Sequence, residues 1–185
     1  RSSGLVKSAG GADMVKIASF NGTGSSGIIE VADYFSADYR QYQIRAMLYN
    51  DAVTQNYIQW YDAGAAAYRT TSYYYIIGVD YLLTSPSAAS TNGLTYDGST
   101  LAMSENNGAS EVLPMYMIIN VFGPFDVARN TIYEYDWGAK DATVLRRASG
   151  TGYVADNLSL TGFKIYSGAD NYYAQSHGAV YGIKS

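Results

Sequence analysis

Cysteine is absent from the 185 residues, which excludes disulfides and thiolate metal sites and leaves the redox compartment open. Histidine occurs once, at His177 between Ser176 and Gly178, so a metal there would need carboxylates as its other ligands. A polar turn residue is the simpler reading. Charge is scarce as well: Asp, Glu, Lys and Arg make up 15% of the chain, against roughly 25% in an average soluble domain. With a formal charge of −4 and no basic cluster larger than Arg146-Arg147, nucleic acid is not an expected partner. Apolar runs are short. The longest, Met115–Phe122, is broken by Asn120 and followed by Gly123-Pro124, and a spanning helix needs roughly 18 residues. No membrane insertion is expected. No basic-then-apolar leader opens the sequence, which begins at Arg1 rather than Met and reads as a fragment, a processed product or the core of something longer.

What the chain has is tyrosine, 20 of them, set mostly in alternating stretches. Gln41, Gln43 and Arg45 alternate with Tyr42, Ile44, Ala46 and Leu48, a period of two that sends polar groups to one face of a strand and apolar groups to the other. The same beat recurs at 57–61, 73–83, 112–122 and 163–166. Tyrosine suits a half-buried pleated surface, because its ring packs while its hydroxyl stays wet or finds a partner. The fold class predicted is all-β, a two-sheet antiparallel β-sandwich of jelly-roll type, with nine or ten strands at short spacing. Residues 1–13 read as an arm or linker and 14–185 as one domain, long enough to bury about 70% of its unfolded surface.

Along the chain, 14–20 and 28–31 read as short strands around a Gly/Ser/Thr/Asn turn, and 39–50 is the clearest strand. In 57–61, Ile58 and Trp60 are expected inward and Gln59 outward. Residues 68–83 form either one long bent strand or two, with Gly78 as a bulge or bend. The stretch 85–110 holds Ser, Thr, Asn, Gly and Ala with little periodicity, and reads as a long loop, either a surface insertion or a binding or interface loop. Only 33–41 and 141–146 could hold a helical turn. The expected core is Tyr42, Ile44, Ala46, Leu48, Ile58, Trp60, Ile76, Met117, Ile119, Phe163, Ile165, Tyr181 and Ile183.

Catalytic chemistry finds little footing. No G-x-S-x-G elbow accompanies the single histidine. Glycoside hydrolysis needs two carboxylates facing each other across a cleft. Here the acids are scattered, mostly beside Gly, Asn or Tyr, where aspartate commonly caps a turn. In 133–137, Glu134 and Asp136 share one face of a strand and Tyr133, Tyr135 and Trp137 the other, the pattern of a solvated face opposite a buried aromatic stripe. No loop gathers the oxygen ligands calcium wants, and Gly22-Thr23-Gly24 lacks the lysine of a phosphate-cradling loop. No catalytic residue, cofactor or metal is therefore assigned.

The segment Thr161-Gly162-Phe163-Lys164-Ile165-Tyr166-Ser167-Gly168, followed by Gly178-Ala179-Val180-Tyr181-Gly182-Ile183-Lys184, resembles the closing hairpin of a β-sandwich domain of tailed-bacteriophage virion proteins. Tyr39-Arg40-Gln41-Tyr42-Gln43-Ile44 is similar to that family's Y-x-x-Y-x-[IFL] strand, and Asp62-Ala63-Gly64 with Tyr68 to its D-x-G…Y turn. The resemblance runs from about residue 14 through most of the chain and rests on structural, not catalytic, motifs. It implies a non-enzymatic module on the virion surface, hence extracellular, of the tail-fibre, capsid-fibre or decoration type. Its implied partners are further copies of itself (a trimer favoured), other virion proteins and a host-surface glycan. Tyr73, Tyr74, Tyr75, Tyr172 and Tyr173 are the candidate contact residues, since 20 tyrosines exceed what one core can hide with every hydroxyl satisfied. The alternative is a lectin-like carbohydrate-binding module of a secreted protein, with surface tyrosines as stacking platforms.

Overall fold

The alternating patterns become strands of two antiparallel sheets in the computed structural model, which describes residues 13–50, 55–83, 88–98, 101–102, 114–140, 144–168 and 171–184, those at 75–83, 88–98, 101–102, 140 and 144–146 by backbone alone. In chain order the strands are β1 (Met14–Asn21), β2 (Ile28–Val31), β3 (Gln41–Leu48), β4 (Asn56–Asp62), β5 (Ala67–Tyr68), β6 (Tyr73–Leu83) and β7 (Ala88–Gly98). They continue with β8 (Leu101–Ala102), β9 (Met115–Phe122), β10 (Thr131–Lys140), β11 (Val144–Val154), β12 (Leu160–Ser167) and β13 (His177–Ile183). No helix occurs among the described residues. An eight-stranded sheet runs β1-β13-β3-β9-β10-β11-β6-β7, and a five-stranded sheet runs β2-β12-β4-β5 with β8 beside β4. The sheets pack face to face as a β-sandwich.

Each strand puts its apolar parity into the space between the sheets. Tyr42, Ile44, Ala46 and Leu48 of β3 lie beside Met115, Met117, Ile119 and Val121 of β9 and Tyr133, Tyr135 and Trp137 of β10, all buried. From the smaller sheet, Ile29, Val31, Ile58, Trp60, Phe163 and Ile165 complete the core. Trp60 sits at its centre, its ring 5.9 Å from Tyr133, 6.2 Å from Phe163 and 6.3 Å from Phe35. Ten of the thirteen expected core residues are buried; Ile76 lies outside the described side chains, and Tyr181 and Ile183 are only half-buried.

The two exceptions on β13 have one cause. Gly182 faces Tyr42, Val180 faces Ile44 and Gly178 faces Ala46, so the inward parity of β13 is the glycine parity. A Cβ at Gly182 would lie 2.5 Å from the Tyr39 ring, and one at Gly178 would run into the Phe20 ring and come within 2.6 Å of the Arg45 carbonyl oxygen. Rings from neighbouring segments occupy the space that β13 leaves empty, and its own large side chains turn outward. Gly178→Ala should therefore cost about 1–3 kcal/mol through overpacking; an unchanged melting temperature would contradict this placement.

Other expectations shift at the level of connections. β12 and β13, expected to form a hairpin, belong to opposite sheets: β12 pairs with β2 and β4, and β13 with β1 and β3. β1 and β2 likewise sit in different sheets. Within the expected long loop, 88–98 is strand β7, paired along β6, and 101–102 is β8; the rest of 85–110 lies outside the described residues. Gly78 is no bulge, since it stays in register between Ser149 and Asn92; the irregularity falls between Tyr73 and Tyr75. Gln59, expected outward, is buried on the central strand β4.

Candidate recognition surface

The candidate tyrosines divide between inside and outside. Tyr73 and Tyr172 are fully buried, which corrects their assignment to a contact surface. The Tyr73 hydroxyl reaches from the larger sheet to the smaller, accepting the Trp60 N–H at 2.8 Å. That of Tyr172 donates to Asn56 Oδ1 at 2.6 Å, an oxygen that also accepts from Asn50 Nδ2 at 3.1 Å. Burial raises the pKa of both hydroxyls well above the ordinary tyrosine value. Tyr42 and Tyr133 follow the same logic: the first exchanges hydrogen bonds with the Ser36 backbone (N–H donated at 2.6 Å, carbonyl accepting at 2.8 Å), and the second donates to the Tyr74 carbonyl at 3.2 Å. In a chain without cysteine, tyrosine hydroxyls pin loops and the opposite sheet to the core. Tyr173 is half-buried, its N–H donated to the Tyr49 carbonyl at 2.9 Å. The Tyr75 side chain lies outside the described residues.

Tyr74 does face outward. Its ring stacks on Tyr153 of β11 at 5.0 Å and 7° between planes. Cross-strand pairing extends this row through Ile132 to Phe122, with Tyr153 40% and Ile132 50% exposed. The next row on the same face is polar: Tyr181, Gln43, Asn120, Glu134 and Thr151 stand side by side on five strands. Arg45 lies 5.3 Å over the Tyr181 ring and donates to Gln43, whose amide donates to Asn120 Oδ1 at 2.8 Å. Between this polar row and the next, Ile118, Asp136 and Ser149 on β9, β10 and β11, lies a shallow depression of about 430 Å³ lined by Asn120, Glu134, Asp136, Ser149 and Thr151.

The outer face of the smaller sheet carries a second aromatic surface, which sequence reasoning did not single out. Tyr57 and Tyr166 stack at 5.2 Å, Tyr61 and Tyr68 meet edge to face at 5.2 Å, and Lys164 Nζ sits between the pairs, 4.5 Å from the Tyr68 ring and 5.4 Å from that of Tyr166. Glu30 faces Lys164 across the β2–β12 pairing. Burial, followed by the nearby Glu30 charge, pushes the Tyr68 hydroxyl up to about 12. The signal was present as parity: with Ile58, Trp60, Phe163 and Ile165 inward, Tyr57, Tyr61, Lys164 and Tyr166 must point out.

No protein-family model matches the chain, and no curated protein or solved structure resembles it closely enough to count as a match. The site therefore rests on its own chemistry. Glu134 and Asp136 sit side by side on β10; Asp136 is held by Arg147 through bonds of 3.2 and 2.7 Å, and Glu134 makes no hydrogen bond or ion pair with any described residue. Asp62 and Asp126 cap turns, accepting N–H bonds from Gly64 at 2.8 Å and Ala128 at 3.0 Å. His177 is exposed, with Nδ1 against the Gln175 carbonyl at 2.8 Å. Among the described residues no three His, Asp or Glu side chains converge as metal ligands. The arrangement offers flat aromatic faces bordered by carboxylates, amides and single cations.

Proposed function

We propose that this chain is a non-enzymatic structural module of the virion surface, a fibre or decoration domain of a tailed phage, acting as a homo-oligomer with a trimer favoured. The observation that carries this reading is the row Phe122, Ile132, Tyr153 and Tyr74 on the outer face of the larger sheet, apolar and wet where a free-standing domain gains nothing from it. Tyrosine and aliphatic side chains set in such a row supply contact area at low entropic cost. The phage assignment itself draws on the sequence motifs of β3, the Asp62 turn and the two last strands. Assembly through the tyrosine row is tested by Ile132→Lys combined with Tyr153→Ser, both outward residues whose replacement leaves the core intact. The double variant should dissociate at concentrations where the parent stays assembled, as followed by sedimentation velocity. Identical sedimentation of the two would remove this row from the contact.

A second reading, a carbohydrate-binding module, is favoured by the Tyr57–Tyr166 and Tyr61–Tyr68 pairs around Lys164 and Glu30, since planar rings beside a donor and an acceptor suit a sugar's apolar face and hydroxyls.

A further inference from the structure

At one end of the larger sheet, beyond the last paired residues of β9 and β10, the loop of residues 123–130 and the approach to β3 enclose a cavity of about 510 Å³. This falls within the size range of small-molecule sites, roughly 300–1,000 Å³. Tyr39, Phe122, Phe125 and Ile132 line it, together with Arg40 and Arg129. Phe125 is 38% and Ile132 50% exposed, so the apolar wall is open to an incoming ligand.

The loop is held in place by its own hydrogen bonds. Gly123, at φ 62°, donates its N–H to the Arg40 carbonyl at 2.8 Å, and the Pro124 carbonyl accepts from Leu160 at 2.7 Å. Asp126 then folds the loop back: its side chain accepts the Ala128 N–H at 3.0 Å and its carbonyl accepts that of Arg129 at 3.2 Å. A loop already held this way loses little further freedom when a ligand binds.

The charge is unlike that of the rest of the molecule. Arg129 is 84% exposed and meets Asp126 only through Nε at 3.9 Å, and Arg40 makes no ion pair with any described residue. Two arginines against one aspartate leave the cavity positive by one charge, on a chain whose formal charge is −4. Arginine recognises carboxylate through paired N–H donors, and the flat rings beside it suit a ligand with one apolar face.

We infer that this cavity binds an acidic sugar, its carboxylate held by Arg40 and Arg129, its ring lying on the Phe122 and Phe125 side chains, and its hydroxyls meeting Asn130 and Asp126. A single copy of the chain forms the whole site, which shares Phe122 and Ile132 with the row proposed for contact between copies; ligand and partner therefore compete there, and the titration is run on Tyr153→Ser as well as on the parent chain. It is tested by titrating the protein with methyl β-D-glucuronide, methyl β-D-glucoside and a hexaglutamate peptide, following backbone amide signals by NMR. The glucuronide should shift the signals of Phe122, Phe125 and Ile132 saturably. The neutral glucoside, and the glucuronide on Arg40→Gln or Arg129→Gln, should each bind about tenfold more weakly or worse, the loss of one charge-assisted bond. No saturable shift, shifts elsewhere on the molecule, or equal binding of the glucoside would overturn the site. Tighter binding of hexaglutamate at the same residues would overturn the sugar in favour of an acidic peptide. Since the variants replace exposed side chains, an unchanged melting temperature separates lost binding from lost fold, and the oligomer mass is read independently of either.

Discussion

Trp60→Ala should lower the unfolding free energy by about 3–5 kcal/mol, the cost of emptying a fully packed aromatic site, and the melting temperature by roughly 6–20 °C for a chain of this size. The indole is wholly buried and touches Phe35, Tyr133 and Phe163, so its loss opens a cavity shared by both sheets. Collapse is restricted because those neighbours are themselves fixed: Tyr133 by its bond to the Tyr74 carbonyl and Phe163 by register between Val31 and Trp60. Trp60→Phe, which refills most of the space, should recover more than half of the loss. A melt of Trp60→Ala that superimposes on the parent would place the indole outside the core.

The second large effect is on the alkaline side. Tyr73 and Tyr172 are buried with no exposed ring, and burial raises both hydroxyl pKa values well above 10. In the unfolded chain the same groups ionise near 10. Above that pH the folded state therefore holds more protons than the unfolded one, and stability falls as pH rises. The slope is about 1.4 kcal/mol per pH unit for each tyrosine, so the pair should remove roughly 2.7 kcal/mol per unit above pH 10. Below about pH 9 both states are protonated and these two residues add no pH dependence. Chemical unfolding at successive pH values should show a plateau and then a steep fall between pH 10 and 12. Tyr73→Phe with Tyr172→Phe should be weaker at neutral pH, having lost two cross-linking hydroxyls, yet flatter above pH 10. Parallel alkaline limbs for parent and double variant would contradict the buried, protonated hydroxyls.

How far the sequence could be read depended on what each strand displays. β3 and β10 announce themselves, because polar and apolar residues alternate without a break from Gln41 to Ala46 and again through Tyr133, Glu134, Tyr135, Asp136 and Trp137. β13 misleads for a physical reason. Its inward positions are Gly178, Val180 and Gly182, emptied for the Phe20 and Tyr39 rings, so the largest residues mark the wrong face. β7 carries Ser90, Thr91, Asn92 and Gly93, a turn-like composition that becomes strand through its pairing with β6. Tertiary pairing outweighs local propensity there. Which strands share a sheet was hidden as well: a short polar link such as 22–27 serves a hairpin and a sheet-to-sheet crossing equally well. Among the candidate tyrosines, Tyr73 and Tyr74 are adjacent, and parity alone puts one inside and one outside without saying which. The interior hydroxyl partners Trp60 and Asn56 come from distant strand β4, and only the folded chain brings them close.

The proposed contact between copies of this tyrosine-rich sandwich has a direct physical readout. Its most direct test is the mass of the purified chain in solution, measured by light scattering coupled to size exclusion over a range of concentrations. A stable species near three times the 20.1 kDa chain mass is expected. A monodisperse 20.1 kDa monomer persisting at the highest concentration would contradict it.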